Sequence, residues 1–515
     1  MKKTNQRIDA LFLVLIVLPA VLLFNAAVNA NNLTVSDMTL TGQDTTSDFM
    51  LVEFDIAWEN SWRVSSGPSN WDAAWVFIKY RRNSETRWYH ATLNFVDGTG
   101  SGDGHTVPAN ALMDSKEDDG AGGAYGVFIY RDSDFPQADV VYNDVRLRWN
   151  YGIDGVADDD SIEVCVFGIE MVYVPQNSFY VGDGSTQTDV QGAFELENTG
   201  NPFHITSEGI LTLGGNTPGS MCTYGMAMTP PDDFNDATSK TLPAEFPKGY
   251  DGFYCMKYEL HQQGYVDFLN KLDAAQAANR ENTSETGWRH ALTGTTGNFT
   301  TSNPYVAAAY LSWADARAFL DWAALRPMTE LEYEKACRGA VFPVPDEYAW
   351  GSDSIVRDTF AMNNMGMAHE GISLNYLTTG GNAAYEESIY HKNGIQGPLR
   401  VGIFAANTGN TGRVTSGATY YGIMEMSGNI WEQVVSVGSA QGRAFTGEHG
   451  DGNLDASGDA NASNWPGTNA VGAGLRGGCF VRHDMDIRVS DRSLASYSVT
   501  IRSGGAGIRG VRSMP

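Results

Sequence analysis

The sequence predicts an α+β chain that opens with an all-β sandwich. Two patterns predict it. Between residues 31 and 168 apolar residues recur with period two and no helical period is visible, while capped stretches of helical period begin only after residue 258. The expected layout is a signal peptide at 1–30, a β-sandwich domain at 31–168 and a second domain at 169–515 with an insertion at about 184–247. A chain of 515 residues is too long for one ordinary core and suits two or three domains.

Lys2, Lys3 and Arg7 precede an apolar run from Leu11 to Phe24, which ends at Val28-Asn29-Ala30. A charged start, an apolar stretch and a small-residue cleavage site read as a secretory signal cleaved after Ala30, against an uncleaved anchor as the alternative. The protein is therefore expected to be secreted or extracytoplasmic, at a cell surface or in a periplasm. No later segment is apolar for the ~18 residues a membrane span needs. Cleavage removes three bases and one acid and takes the net charge from −27 to −29. That charge disfavours nucleic acid, whose phosphates need basic partners. It suits solubility or Ca2+ binding. Five cysteines leave at least one unpaired. Cys255 and Cys337 are the disulfide candidates because both fall in core segments; Cys165, Cys222 and Cys479 stay unassigned.

In the first domain Val52, Phe54, Ile56 and Trp58 alternate with Leu51, Glu53, Asp55 and Ala57, the pattern of a half-buried strand. Trp75, Phe77 and Lys79 form a second row, Val145, Leu147 and Trp149 a third, and Ile162, Val164 and Val166 a fourth. Short strands between Gly-, Ser- and Asp-rich turns indicate an antiparallel sandwich. The tryptophans Trp58, Trp62, Trp71, Trp75, Trp88 and Trp149 either fill its core or stand exposed as sugar-stacking platforms, and packing is the preferred reading. The acids Asp154, Asp158, Asp159 and Asp160 make a solvated turn or, as the second choice, a Ca2+ loop.

In the second domain Met171–Pro175 and Phe179–Gly182 read as a hairpin-like opening, and 184–247 as polar surface loop. Phe253–Glu259 is a strand. A helix follows with Tyr265, Phe268, Leu269 and Leu272 on one face, and another, capped by Ser312, spans 313–325. In Arg326-Pro327-Met328-Thr329-Glu330-Leu331-Glu332, Thr329 and Glu332 form a capping box, and Gly339 suits the helix stop. Asp451, Asn453, Asp455 and Asp459 match part of an EF-hand loop, but Ala456 and Ala462 stand where Gly and Glu belong, so a Gly/Asp turn is preferred.

Residues 422–433, Gly-Ile-Met-Glu-Met-Ser-Gly-Asn-Ile-Trp-Glu-Gln, join a tight Gly-Asn bend to an aromatic and a carboxylate at fixed spacing. Together with Arg326–Gly339, Tyr348–Gly351, Arg400–Phe404, Arg476–Gly478 and Gly507–Arg512, in that order, this string resembles the formylglycine-generating enzyme (sulfatase-modifying factor) family over about two-thirds of the chain. The resemblance implies a compact α+β fold related to C-type lectins. It implies a Ca2+ site from the Glu425 and Glu432 side chains with the Gly428 and Ile430 backbone, hard oxygen donors suited to that ion. It also implies, in catalytic members, two cysteines after Arg-Gly-Gly that bind copper and activate oxygen. Here Arg482 and Ile487 occupy those positions, and Cys479 falls where the family usually has serine. One thiol is not a pair and a guanidinium cannot ligate copper, so copper is disfavoured and no catalytic residue is assigned. Cys479 is noted as a possible reactive thiol with His483 four residues on, against the preferred reading of a buried cysteine.

The reading that follows is a secreted, non-catalytic binding or structural protein that reuses the enzyme scaffold, stabilised by Ca2+. The alternatives are a formylglycine-generating oxidase acting on a sulfatase cysteine and a carbohydrate-binding surface protein. The ligand is an unspecified protein or glycan, and self-assembly is compatible with this architecture.

Overall fold

The computed structural model describes residues 33–96, 103–185, 190–223, 229–357, 360–367, 369–374, 380–386, 395–406, 410 and 412–515. The expected signal peptide lies outside the described residues. Among the described residues no helix is long and apolar enough to cross a membrane.

Two sheets build the N-terminal unit. The first has five strands in the order β1 (Thr34–Asp44), β2 (Phe49–Arg63), β9 (Phe135–Trp149), β5 (Leu93–Asn94) and β7 (Gly123–Ala124). The second contains β3 (Asp72–Arg82), β4 (Tyr89–His90), β6 (Ala111–Asp114), β8 (Val127–Arg131) and β10 (Ile162–Val174). Between them lies an apolar core in which Val52, Phe54, Ile56 and Trp58 meet Val76, Ile78, Val164, Val166 and Leu147. The period-two rows of β2, β9 and β10 thus mark inward faces of a sandwich, as expected, whereas the Trp75 and Phe77 row of β3 faces away from it.

The second sheet is not half-buried. Every residue of β3 from Asp72 to Tyr80 is buried. Its far face, with Trp75 and Phe77, joins Phe167 of β10 in a second core that includes Phe268, Phe319 and Trp322 of the C-terminal unit. Trp75 donates its indole N–H to the Ala323 carbonyl at 2.9 Å, and Trp322 sets its edge against Phe77 and Phe167 at 5.3 and 4.9 Å. The same sheet runs on through Phe253–Met256 and Gly510–Ser513 to Arg326–Pro327. The domain boundary at 168/169 therefore falls inside β10, which pairs with β3 along its length and with Phe253–Met256 at its end. No linker separates the units there.

The tryptophans follow the packing reading in part. Trp58, Trp75 and Trp149 are fully buried, while Trp62, Trp71 and Trp88 are half-buried. The acidic turn is satisfied internally: Asp154 accepts from Thr92 and Trp149, Asp158 from Tyr151, and Asp160 from Ala157. The 451–459 loop behaves alike, with Asp455 bonding its own turn and Asp459 paired with Arg280.

The C-terminal unit carries helices α1 (Gln262–Leu269), α2 (Ala274–Arg280), α3 (Trp313–Trp322) and α4 (Glu330–Arg338). Ser312 and Thr329 cap α3 and α4, as expected, and both caps are complete capping boxes, the one at Ser312 with Asp315 as its unpredicted partner. Gly339 ends α4 at φ 71°, and a Cβ there would stand 2.2 Å from the Tyr420 ring, so position and conformation both require glycine. The 184–247 stretch is more ordered than a polar loop. Short strands Phe194–Leu196, Leu211–Leu213, Met221–Thr223 and Lys240–Leu242 form one sheet, and Phe194, Leu213, Phe234 and Phe246 enter the main core. Strands of three residues are too short to show a period, which hid them in the sequence.

The expected Cys255–Cys337 disulfide is not formed: all five cysteines are free and buried. Cys255 and Cys337 do share one apolar cluster, where they pack as small hydrophobic side chains.

Candidate functional site

The 422–433 string ends in the strand Trp431–Val435, which pairs antiparallel with Ala473–Arg476 and parallel with Ala506–Gly507. Glu432 is buried there, its Oε1 accepting from Arg509 Nε at 2.7 Å. Arg509 also donates to the carbonyls of Met256 and Met424, which ties the string to the central sheet. Glu425 adopts φ 57°, and its Oε1 accepts from the Gly402 N–H at 2.9 Å. The sequence reading missed a third carboxylate. Glu259, at the end of the segment read as a strand, accepts from the Ile430 N–H at 3.1 Å and from the Asn429 side chain. The available signal was an acid closing a segment whose other residues, Lys257 apart, are apolar or aromatic.

Three buried carboxylates around Arg509 resist ionisation. Burial raises all three, and neighbouring Glu425 raises Glu259 further. Glu425 is pushed up to about 7 by burial, against the pull of the Gly402 N–H and Arg509. Its folded form holds the proton more tightly than the unfolded chain does. This contribution to stability is therefore complete below the ordinary value of 4.5 and is lost as the pH rises through about 7. Glu425→Gln, which keeps the neutral shape, is expected to flatten the fall in unfolding free energy between pH 5 and 8, read by urea denaturation, by on the order of 3 kcal/mol. Identical slopes for the two proteins would reject this assignment.

The Ca2+ donor set can be tested on the same atoms. Oε2 of Glu425 and Oε2 of Glu432 are both buried without a hydrogen-bond partner. Orphaned carboxylate oxygens fit a hard cation. The competing cation is Arg509, already seated on the other oxygen of Glu432. Among the described residues no group of three His, Cys, Asp or Glu side chains is placed to hold a metal, so an ion here would depend on two carboxylates with the Gly428 and Ile430 carbonyls.

The segment after Arg-Gly-Gly is held from α4. Arg476 donates to Glu330 at 3.0 Å and to Glu334 at 2.6 Å, and Arg492 donates to Glu330 at 2.7 Å and to Asp232 at 2.9 Å. Gly478 has φ 71°, and a Cβ there would stand 2.3 Å from Ile487. Between these anchors the residues at the family's cysteine positions diverge. Arg482 is exposed, 5.8 Å over the Trp431 ring, while Ile487 is buried beside Tyr348, Trp350 and Tyr385. Cys479 sits in an apolar cluster with Phe360, Trp431 and Phe480, and burial pushes its thiol up to about 12. A thiol so placed is protonated at neutral pH and is a poor nucleophile. His483 points away from it, exposed, with Nδ1 2.6 Å from Glu386. The Cys479–His483 pair is thus not assembled, because the segment runs in turns and not as a helix.

Residues 215–514 match the family model described as the sulfatase-modifying factor enzyme 1-like domain. No curated protein matches the chain. Among solved structures, Treponema denticola variable protein 1 aligns with a TM-score of 0.31 at 12% identity, over 67% of this chain and 96% of that one. With the family model spanning more than half of its length, the chain belongs to the FGE-sulfatase family of sulfatase-modifying factor enzyme 1-like proteins.

Proposed function

We propose that this protein uses the sulfatase-modifying factor scaffold as a non-catalytic binding or structural module, outside the cytoplasm and stabilised by Ca2+, with the scaffold related to C-type lectins. The observation that carries this reading is the fate of the thiolate positions: an exposed guanidinium, a buried isoleucine and one walled-in cysteine. A copper-dependent oxidase needs two accessible thiolates at one point, and Cys479 is buried and protonated at neutral pH. The charged start and apolar run before Ala30 support export. The orphaned oxygens of Glu425 and Glu432 support Ca2+, bound with the Gly428 and Ile430 carbonyls. The ion would offset the negative charge of carboxylates that a single arginine only partly balances.

Two measurements on the purified protein test this. Copper titration with an oxygen electrode, against a cysteine-containing sulfatase peptide, should give no turnover; sustained oxygen uptake with loss of the peptide thiol would overturn the reading. Added Ca2+ should raise the melting temperature of the wild type and leave Glu432→Ala unmoved. A flat response in both would remove the ion from the proposal.

A further inference from the structure

A cleft of about 720 Å3 opens between the two units. That volume lies within the about 300–1,000 Å3 common for small-molecule sites. One wall is the end of β2 and the turn after it, with Gln137 of β9. The other is Lys257, Tyr258 and the described part of the 400–424 segment. Two aromatic rings, Trp62 and Tyr420, are half-buried in the walls. The Trp62 ring is backed by main chain: a Cβ on Gly422 would stand 3.1 Å from it. The amides of Asn60 and Gln137 are exposed on the N-terminal wall, and Glu59 stands beside them.

Three cations line the cleft; Arg400 is buried with its charge acting on Glu425, and the other two differ in what holds them. Lys257 is neutralised, at 3.0 Å from Glu170 and 3.6 Å from Asp72. Arg413 is fixed by carbonyls, donating through Nη2 to Ala349 at 2.9 Å and Cys337 at 3.2 Å, and its guanidinium lies 5.6 Å from the Tyr420 ring centre. Among the described residues it has no carboxylate partner within ion-pair distance. Carbonyls orient a guanidinium without cancelling its charge, so Arg413 is a pre-positioned receptor for an anion. Rings for stacking, amides for hydroxyls and one fixed cation together describe a sugar with an acidic group. A polyanion is a poor fit because the chain carries a net charge of −27.

We infer that this cleft binds an oligosaccharide bearing a single acidic group, with Trp62 and Tyr420 as stacking faces and Arg413 as the partner of the acid. This rests on the reading of the protein as a binding module and names its ligand class. The test is titration calorimetry of the full chain with three probes: a trisaccharide ending in one uronate, its methyl ester, and the same trisaccharide carrying one sulfate ester. At least one acidic probe should bind about tenfold or more tightly than the ester, and which one binds identifies the acid as carboxylate or sulfate. Arg413→Gln should equalise acid and ester, and Trp62→Ala should weaken every probe about tenfold or more. Ala406 is exposed at the cleft, so Ala406→Trp fills the site without disturbing the core, and near-UV circular dichroism checks its fold. Loss of binding in folded Ala406→Trp supports the site. Undiminished binding in that variant, an ester bound as tightly as both acids, or no binding by any probe would overturn it. None of these outcomes bears on oxygen consumption, so the non-catalytic reading stands or falls separately.

Discussion

A fragment beginning at residue 169 should fail to fold, and the full chain should unfold in a single transition. The reason is the shared sheet. Removing residues 33–168 takes away β3 and the first half of β10, leaving Phe253–Met256 beside a stub. It uncovers Trp322 and Tyr254, which now pack on Phe77, Phe167 and Phe128. Each large aromatic lost from such a core costs about 3–5 kcal/mol, and the interface contains several, against a total stability of about 5–15 kcal/mol. Charges are stranded as well. Arg512 loses Asp118 at 2.6 Å, Lys257 loses Asp72, and the loop at 452–454 loses its bonds from Lys79, His90 and Arg87. The expected result is insoluble or loosely packed fragment without near-UV circular dichroism. A fragment that melts cooperatively near the temperature of the whole protein would show the units to be independent.

That interface shows where sequence patterns stop informing. Alternation located β2 and β9 because one of their faces meets solvent. In β3 and β10 both faces are buried, so the row Trp75, Phe77 is an interface with the second unit as much as a sandwich strand. Nothing local distinguishes a strand covered by its own domain from one covered by another, and a boundary placed where the strand row ended cut through β10. The Ser312 cap of α3 and the capping box of α4 were legible because a cap is a contact between residues three apart. The disulfide expectation failed for the complementary reason. Two cysteines in core segments fall in one cluster, but a bond needs a specific geometry that spacing does not encode.

The site divides in the same way. Arg476–Gly478 and the 422–433 string were legible as local strings, and the loss of the cysteine pair could be read by counting from them. Glu259 was not, since it reaches Ile430 from 171 positions away. The cleft was also out of reach, because Trp62 and Arg413 meet only through the joining of the two units.

Glu330→Ala is expected to destabilise the protein by about 3–5 kcal/mol, because it takes one of two carboxylates from each of two buried guanidinium groups. Glu330 is fully buried at the start of α4 and accepts from Arg476, from two nitrogens of Arg492 and from the Val437 N–H. Burial alone would raise its carboxyl, but Arg492 and Arg476 outweigh that and hold it below the ordinary value. The sign is therefore opposite to that of Glu425. The contribution is present above the ordinary carboxylate range and is lost as the pH falls through the lowered folded value, so Glu330 sets part of the acid limb and Glu425 part of the neutral limb. Glu330→Gln should lose nearly as much as Glu330→Ala, since a neutral amide leaves Arg476 with Glu334 alone and Arg492 with Asp232 alone. Replacing Glu330, Asp232, Arg476 and Arg492 together by apolar residues of similar volume should recover much of the loss, because the penalty comes from unpaired buried charge and not from absent attraction, and Glu334 keeps Arg338. Urea unfolding at pH 7 decides the matter. If Glu330→Ala costs less than about 1 kcal/mol, the network is not what holds the Arg476–Arg492 segment to α4.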